Sequence, residues 1–215
     1  MNIEIQNLVP VFVALPLAGS LLIQLVARKR QAVAEGLAIA AMLALVLMTV
    51  GAIGRTGIYH LGGWPTPVGI DLRLDELSVL MLMVVNLVGL AVALYSVNYM
   101  RRFSARGHFY GLFLLMVTGM NGVVMTGDLF NLYVFLEVAA VASYALVAFG
   151  TEHEELEASF KYIVLGTLSS ALILVGDILA GVVVSVFVAL VMREFVRVNF
   201  IRFLNPRSWF WGLVY

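Results

Sequence analysis

The sequence contains no cysteine and little charge. Without cysteine, the chain cannot form a disulfide framework, a cysteine-ligated zinc site or an iron–sulfur cluster. Charged residues make up 12% of its 215 residues, against roughly 25% in soluble domains. The three histidines are scattered, and the formal net charge of zero provides no basic surface for nucleic acid. We therefore expect no metal, no cofactor and no nucleic-acid partner.

Sequence signatures of a soluble active site are also missing. The chain has no Walker, dinucleotide-binding or nucleophile-elbow pattern. It is instead 62% hydrophobic, with a mean hydropathy of +1.02. The first ten residues lack the basic region and cleavage site of a signal peptide, so we expect the first apolar run to be retained as a helix. The composition predicts an all-α integral membrane protein.

The apolar runs predict where the chain crosses the membrane. A span needs about 20 apolar residues. Five runs approach or reach that length: Leu8–Ala27, Gly36–Ile53, Leu77–Val97, Phe109–Thr126 and Leu129–Gly150. A sixth apolar region, Tyr162–Met192, is either one overlong helix or two short helices divided at Gly176 and Asp177.

The distribution of basic residues favours two short helices and therefore seven spans. With the N-terminus outside and seven passes, ten basic residues lie on the cytoplasmic side. Only Arg55 and Arg73 then lie outside, as the positive-inside rule requires. We predict about seven transmembrane helices, an external N-terminus and a cytoplasmic C-terminus that contains Arg193–Arg207.

The residue that most needs an explanation is Glu137, near the middle of the fifth apolar run. A charged carboxylate at that depth costs about 2.5–3.5 kcal/mol on insertion scales, so such residues are rare and usually functional. Tyr133 and Tyr144 lie four residues before and seven after it, on the same helical face. Two interpretations stand: a carboxyl group that exchanges protons, or a protonated one that only bridges helices.

Lys161 is the second charged candidate, at the start of the sixth apolar region. If it points inward, its cation can stabilise the ionised form of Glu137. Its long stem could equally extend its charge to the membrane surface. The acidic segment "TEHEELE" at 151–157 is either a solvated loop or a docking site, and Asn86 and Asn121 are predicted to bond between helices.

Three long strings resemble a known family: "YHLGGWPTPVGIDLRLDELSVLMLMVV" at 59–85, "TGDLFNLYVFLEVAAVASYALVAFG" at 126–150 and "EASFKYIVLGTLSS" at 157–170. They resemble the antiporter-like membrane subunits of Mrp-type cation/proton antiporters, complex I and membrane-bound hydrogenases. The D-type Mrp subunit is the most similar pattern. The resemblance implies that Glu137 and Lys161 act in ion translocation. We name Tyr133, Tyr144 and Asp128 as candidate residues that support them.

The resemblance also implies a division of the chain. Residues 1–172 resemble the beginning of a D-type subunit, truncated within its first repeat. Residues 173–215 resemble the opening of the small E-type Mrp subunit, with a basic amphipathic stretch. The chain is thus interpreted as a partial antiporter-like subunit in a prokaryotic inner membrane.

The implied function is that of a membrane subunit in an Mrp-like antiporter module, either free or within a hydrogenase or related redox-driven pump. It would contribute to proton or sodium translocation and be at most a non-catalytic subunit of a redox enzyme. Other antiporter-like subunits, small Mrp-type subunits, redox subunits and lipid are the expected partners. The alternatives are a non-transporting structural or assembly subunit and, with less support, a standalone transporter.

Overall fold

Six α-helices account for most of the described chain. The computed structural model describes residues 8–27, 30–64, 69–103 and 105–179. Residues 1–167 form one compact unit, which contains the first five helices and the first half of the sixth. The helices are α1 (Val11–Ala27), α2 (Gln31–Gly51), α3 (Glu76–Tyr99), α4 (Arg106–Met125), α5 (Leu129–Val147) and α6 (His153–Leu179). Short 3₁₀ turns lie at Leu61–Gly63 and Met100–Arg102.

The predicted multi-pass membrane protein is confirmed, but the count of seven helices is not. Five of the described helices, α2 to α6, are long and apolar enough to cross a membrane, and α1 is apolar but shorter. The expected division at Gly176 and Asp177 is not present, because α6 continues through both residues to Leu179. The E-type-like segment after Leu179 and the predicted cytoplasmic Arg193–Arg207 lie outside the described residues.

α4 lies at the centre of the bundle. It packs against α1, α2, α3 and α5 and is the most buried of the spanning helices. Its largest buried side chains include Tyr110, Leu114 and Val117. Lipid is as apolar as these side chains, so close packing and hydrogen bonds, rather than burial from water, hold such helices together. α3, by contrast, is buried on one face only: Leu82 is fully buried, whereas Leu77 and Leu80 are exposed.

Glycine allows α4 to approach its neighbours closely. A Cβ at Gly119 would lie 2.5 Å from the backbone nitrogen of Ala139 in α5, and one at Gly122 would overlap the ring of Phe135. On the α1 side, Ser20 donates a hydrogen bond to the carbonyl of Gly111 at 2.8 Å. These small residues therefore serve close contacts between helices of this chain.

A buried polar chain joins the first four helices. Asn121 Nδ2 in α4 donates to Asn86 Oδ1 in α3 at 3.2 Å, which confirms the predicted bond between helices. Asn86 Nδ2 donates to the Thr49 hydroxyl in α2 at 3.2 Å. Asn121 Nδ2 also donates to the Phe12 carbonyl in α1 at 3.1 Å. That carbonyl would normally bond to the amide four residues later, but Pro16 has no N–H to give.

A short β-hairpin departs from the all-α prediction. β1 (Gly57–His60) pairs antiparallel with β2 (Asp71–Leu74), with Gly57 opposite Leu74 and His60 opposite Asp71. The Gly127 N–H donates to the Asp71 carbonyl at 2.8 Å, so the hairpin is attached to the junction between α4 and α5. The alternation of apolar and polar residues in "IDLRL" is typical of a β-strand. The strand is only four residues long, so this pattern is a weak indication of it.

An aspartate caps the start of α3. Asp75 is the N-cap residue, and its carboxylate accepts a hydrogen bond from the Ser78 N–H at 2.7 Å. This bond satisfies an amide that has no partner within the helix. It also holds the pKa of the Asp75 carboxyl below its ordinary value of 3.8, because the ionised form is the better acceptor.

Candidate functional site

Glu137 lies midway along α5, where the sequence predicts it. The helix is continuous from Leu129 to Val147 and begins at the cap formed by Asp128. Phe135 and Ala139 are the α5 residues that meet the glycines of α4. At about 100° of rotation per residue, Glu137 is directed roughly opposite to them. Its carboxylate is partly buried and faces away from the centre of the bundle.

The two tyrosines share that face of α5 with Glu137. Tyr144 is buried, and its ring meets the ring of Tyr162 in α6 edge to face, with 4.8 Å between the centroids. The Tyr144 hydroxyl occupies the space that Gly166 leaves open in α6. Ser159 donates to the Tyr144 carbonyl at 2.9 Å. The side of α5 that carries the carboxylate is therefore the side on which α6 packs.

The tyrosine hydroxyls do not bond to the carboxylate as the sequence suggested. Among the described residues, the hydrogen bonds include none between Glu137 and Tyr133 or Tyr144. Tyr144 does lie within electrostatic range of Glu137. Helical periodicity places the three side chains on one face of α5. The Tyr144 hydroxyl lies against Gly166 of α6.

Lys161 lies on an exposed face of α6, in the third turn of that helix. Its ammonium forms an ion pair with Glu157, one turn earlier on the same helix, at 2.5 Å. The side chain of Lys161 is 67% exposed. This position matches the interpretation in which the charge extends to the membrane surface, and the structure does not bring Lys161 together with Glu137.

Asp128 has a local structural role. Its carboxylate accepts a hydrogen bond from the Asn131 N–H at 2.9 Å and caps α5. Its second oxygen, Oδ2, is buried and makes no hydrogen bond to any residue that the structure describes. Glu137 lies nine positions further along the chain, a rise of about 13.5 Å, so the two carboxylates cannot share one proton directly.

The hairpin beside this cap holds an acid–base pair that sequence reasoning missed. His60 Nδ1 lies 2.5 Å from Asp71 Oδ1, and the Asp71 side chain is almost fully buried whereas that of His60 is 44% exposed. The two residues are eleven positions apart, with four undescribed residues between them. Only the strand register shows that they face each other, so spacing in the sequence gave no signal.

The described residues of this region form no metal centre. No group of three or more histidine and acidic side chains is gathered in the described part of the chain. Glu137 is the only acidic residue within α5. A partly buried carboxyl group in an apolar helix can change its protonation when a neighbouring charge or water approaches.

Two family models match the chain over its spanning region. Residues 65–110 match the N-terminal region of chain 5 of NADH–ubiquinone oxidoreductase, complex I. Residues 126–181 match the transmembrane region shared by NADH:quinone oxidoreductase and Mrp antiporters. The resemblance to the antiporter-like subunits is confirmed. The second match contains both Glu137 and Lys161.

Individual relatives agree with these family models. The chain is 43% identical over 140 residues to a Rhizobium meliloti protein named as a probable D subunit of a K(+)/H(+) antiporter, covering 63% of this chain and 26% of that protein. It is similar to a chain of the archaeal membrane-bound sulfane sulfur reductase, with 32% identity and a TM-score of 0.73 over 80% of this chain and 36% of that one. It is also similar to a chain of the Mrp complex of Dietzia, with 28% identity and a TM-score of 0.72. That match covers 80% of this chain and 33% of the Dietzia chain.

These coverages define what the likeness includes. The chain spans between about a quarter and a third of the length of the curated relatives it matches. Its six described helices therefore correspond to one part of a larger antiporter-like subunit. The comparisons supply the fold of that part.

Proposed function

We propose that this chain acts as a membrane subunit, or part of one, in an Mrp-like multisubunit cation/proton antiporter module. The observation that supports this most directly is a partly buried carboxyl group, Glu137, midway along an apolar helix inside the matched antiporter region. The module is either free-standing, in the way of the Mrp complex, or attached to redox subunits, as its likeness to a respiratory membrane complex suggests. Hydrogenase subunits are one class of such redox partners.

In this proposal Glu137 binds and releases the transported proton or exchanges it for a cation. The cost of burying a carboxylate favours the protonated form, and an approaching cation favours the ionised form. We expect this cation to be sodium. Potassium is the alternative, because the Rhizobium relative is named as a K(+)/H(+) antiporter subunit. Lys161 would supply the approaching charge only after leaving Glu157.

The exposed surface of α5 and α6 supports the proposed assembly with other subunits. Few residues in the spanning stretches of these two helices are buried within the chain. Large apolar side chains such as Phe130, Val141 and Phe160 are exposed there. This surface can be covered by other antiporter-like or small Mrp-type subunits as well as by lipid.

One observation favours a second function, that of a non-transporting structural or assembly subunit. The Lys161–Glu157 pair lies on an exposed face of α6, where it can stabilise that helix without joining an ion path. In this case the fold would hold neighbouring subunits together, and Glu137 would be a neutral packing group.

Purification from the native membrane tests the assembly. A tagged chain extracted in mild detergent should bring down full-length antiporter-like subunits and small Mrp-type subunits, and the complex should move protons against a cation gradient in vesicles. An assembled complex that contains this chain with Glu137→Gln and still transports at the same rate would support the structural function. Recovery of the chain alone as a monodisperse monomer would contradict both.

The orientation is also part of the proposal. We place the loop that contains the hairpin outside the cell and the loop that contains Arg101 and Arg102 in the cytoplasm. The support is the asymmetry of arginine and lysine between the two sides.

A further inference from the structure

A groove opens at the end of the bundle where α2 ends and α3 begins. Its volume is about 440 Å³, which lies within the range of small-ligand sites. Two opposite charges, Arg55 and Glu76, line it together with apolar side chains. The remaining lining residues are Ile53, Gly54, Val79, Leu80 and Met83.

The groove begins at the level where the apolar spans end. The span of α2 ends at Gly51 and that of α3 begins at Glu76, so both charged residues lie at a membrane boundary. An exposed tryptophan, Trp64, belongs to the same loop, as is typical of the headgroup layer. Met83 lies seven residues into α3, about 10 Å below Glu76, which is the depth of the upper acyl chains.

The local backbone positions the two residues that carry these charges. The Arg55 N–H donates to the Ala52 carbonyl at 3.0 Å, and Gly54 makes this turn possible with a φ of 72°. Asp75, the neighbour of Glu76, uses its carboxylate to cap α3. The exposed Glu76 carboxylate, rather than that of Asp75, is therefore the anion that lines the groove.

The apolar wall is open to the bilayer. Ile53 and Leu80 are each 60% exposed. A water-soluble ligand would have to compete with lipid tails for this surface. An occupant needs an apolar tail for the wall, a negative group for the Arg55 guanidinium and a positive group for Glu76.

We propose that this groove binds one phospholipid with a phosphoethanolamine headgroup. Its phosphate lies against Arg55, its primary ammonium donates hydrogen bonds to Glu76, and an acyl chain follows Leu80 and Met83. A choline headgroup carries the same charges but has no N–H to donate. An anionic glycerol headgroup has no cation for Glu76.

Native mass spectrometry of the whole chain tests this proposal. The purified protein is mixed with equal amounts of palmitoyl-oleoyl phosphatidylethanolamine, phosphatidylcholine and phosphatidylglycerol. We expect preferential retention of one phosphatidylethanolamine. Glu76→Gln should reduce its preference over phosphatidylcholine about threefold to fivefold, the effect of one charged pair at an exposed site. Arg55→Gln should weaken retention of both.

Matched controls separate the groove from general effects of charge. Glu154→Gln removes an exposed carboxylate elsewhere, and Arg101→Gln removes a cation from a different loop; neither should alter the preference. Equal retention of the three lipids by the unmodified chain would overturn the proposal. So would a preference for phosphatidylglycerol that survives Glu76→Gln, or a groove that retains no lipid because another segment fills it.

Discussion

Asn121 supplies the hydrogen bond that Pro16 withholds from Phe12. The side-chain amide of Asn121 reaches across from α4 and bonds to the Phe12 carbonyl at 3.1 Å. A proline in a membrane helix leaves one carbonyl without its usual partner, and no water is present in the hydrocarbon to replace it. Asn121 in α4 thus compensates for the backbone hydrogen bond that Pro16 removes from α1.

This relationship gives the first prediction. Asn121→Ala should lower the free energy of unfolding by about 0.5–2 kcal/mol, the range for hydrogen bonds between membrane helices. In a Pro16→Ala background residue 16 regains its N–H, so the same substitution should cost less there. Denaturant unfolding of the four proteins in detergent measures the difference. Equal costs in the two backgrounds would show that the Phe12 bond contributes nothing.

The close contact between α4 and α5 gives the second prediction. Gly119→Ala places a methyl group against the backbone of Ala139, and overpacking of this kind costs about 1–3 kcal/mol. Gly36→Ala is the matched control, because nothing lies within 4 Å of its new methyl group. That control should be neutral or stabilising by up to about 1 kcal/mol, since alanine favours helix. Equal effects at both positions would mean that α4 and α5 are further apart.

Much of this fold could be predicted from the sequence because hydrophobic runs report directly on membrane helices. The run that contains Glu137 begins at Leu129 both in the sequence and in the structure. That Asn86 and Asn121 form hydrogen bonds between helices could be predicted, because buried amides need partners. The link from Asn121 to Phe12 could not, because it requires knowing that α1 lies against α4.

The candidate site was only partly predictable. The position of Glu137 on a helix follows from local sequence, as does the face it shares with Tyr133 and Tyr144. The pairing of Lys161 with Glu157 follows the four-residue spacing of a helix but competes with several other possible partners. The hairpin that joins His60 to Asp71 depends on strand register over an eleven-residue separation, which apolar periodicity does not reveal.

The cap of α3 gives a pH-dependent prediction. The pKa of Asp75 is lowered in the folded protein, so its contribution to stability is complete above the ordinary pKa of 3.8 and is lost as the pH falls through the folded value. Asp75→Ala should cost about 1 kcal/mol near neutral pH. The difference from the unmodified protein should shrink in acid. Neither asparagine nor alanine titrates, so the difference in stability between Asp75→Asn and Asp75→Ala should not change with pH. A constant Asp75→Ala cost down to the acid limit would contradict the assignment.

The absence of cysteine makes the proposed orientation directly measurable. A single cysteine at Thr56, beside the hairpin, should react with a membrane-impermeant maleimide added to intact cells. A single cysteine at Arg101 should react only after the cells are opened. The reverse pattern would place the N-terminus in the cytoplasm.

Glu137→Gln tests the central claim most directly. Glutamine keeps the size of the side chain and can form similar hydrogen bonds, but it cannot titrate. The measurement is proton transport driven by a cation gradient in vesicles that contain the assembled complex, with Glu154→Gln as the control for loss of an exposed carboxylate. We predict normal assembly with transport abolished for Glu137→Gln and unchanged for the control. Full transport by an assembled Glu137→Gln complex would contradict the account and leave Glu137 a packing group.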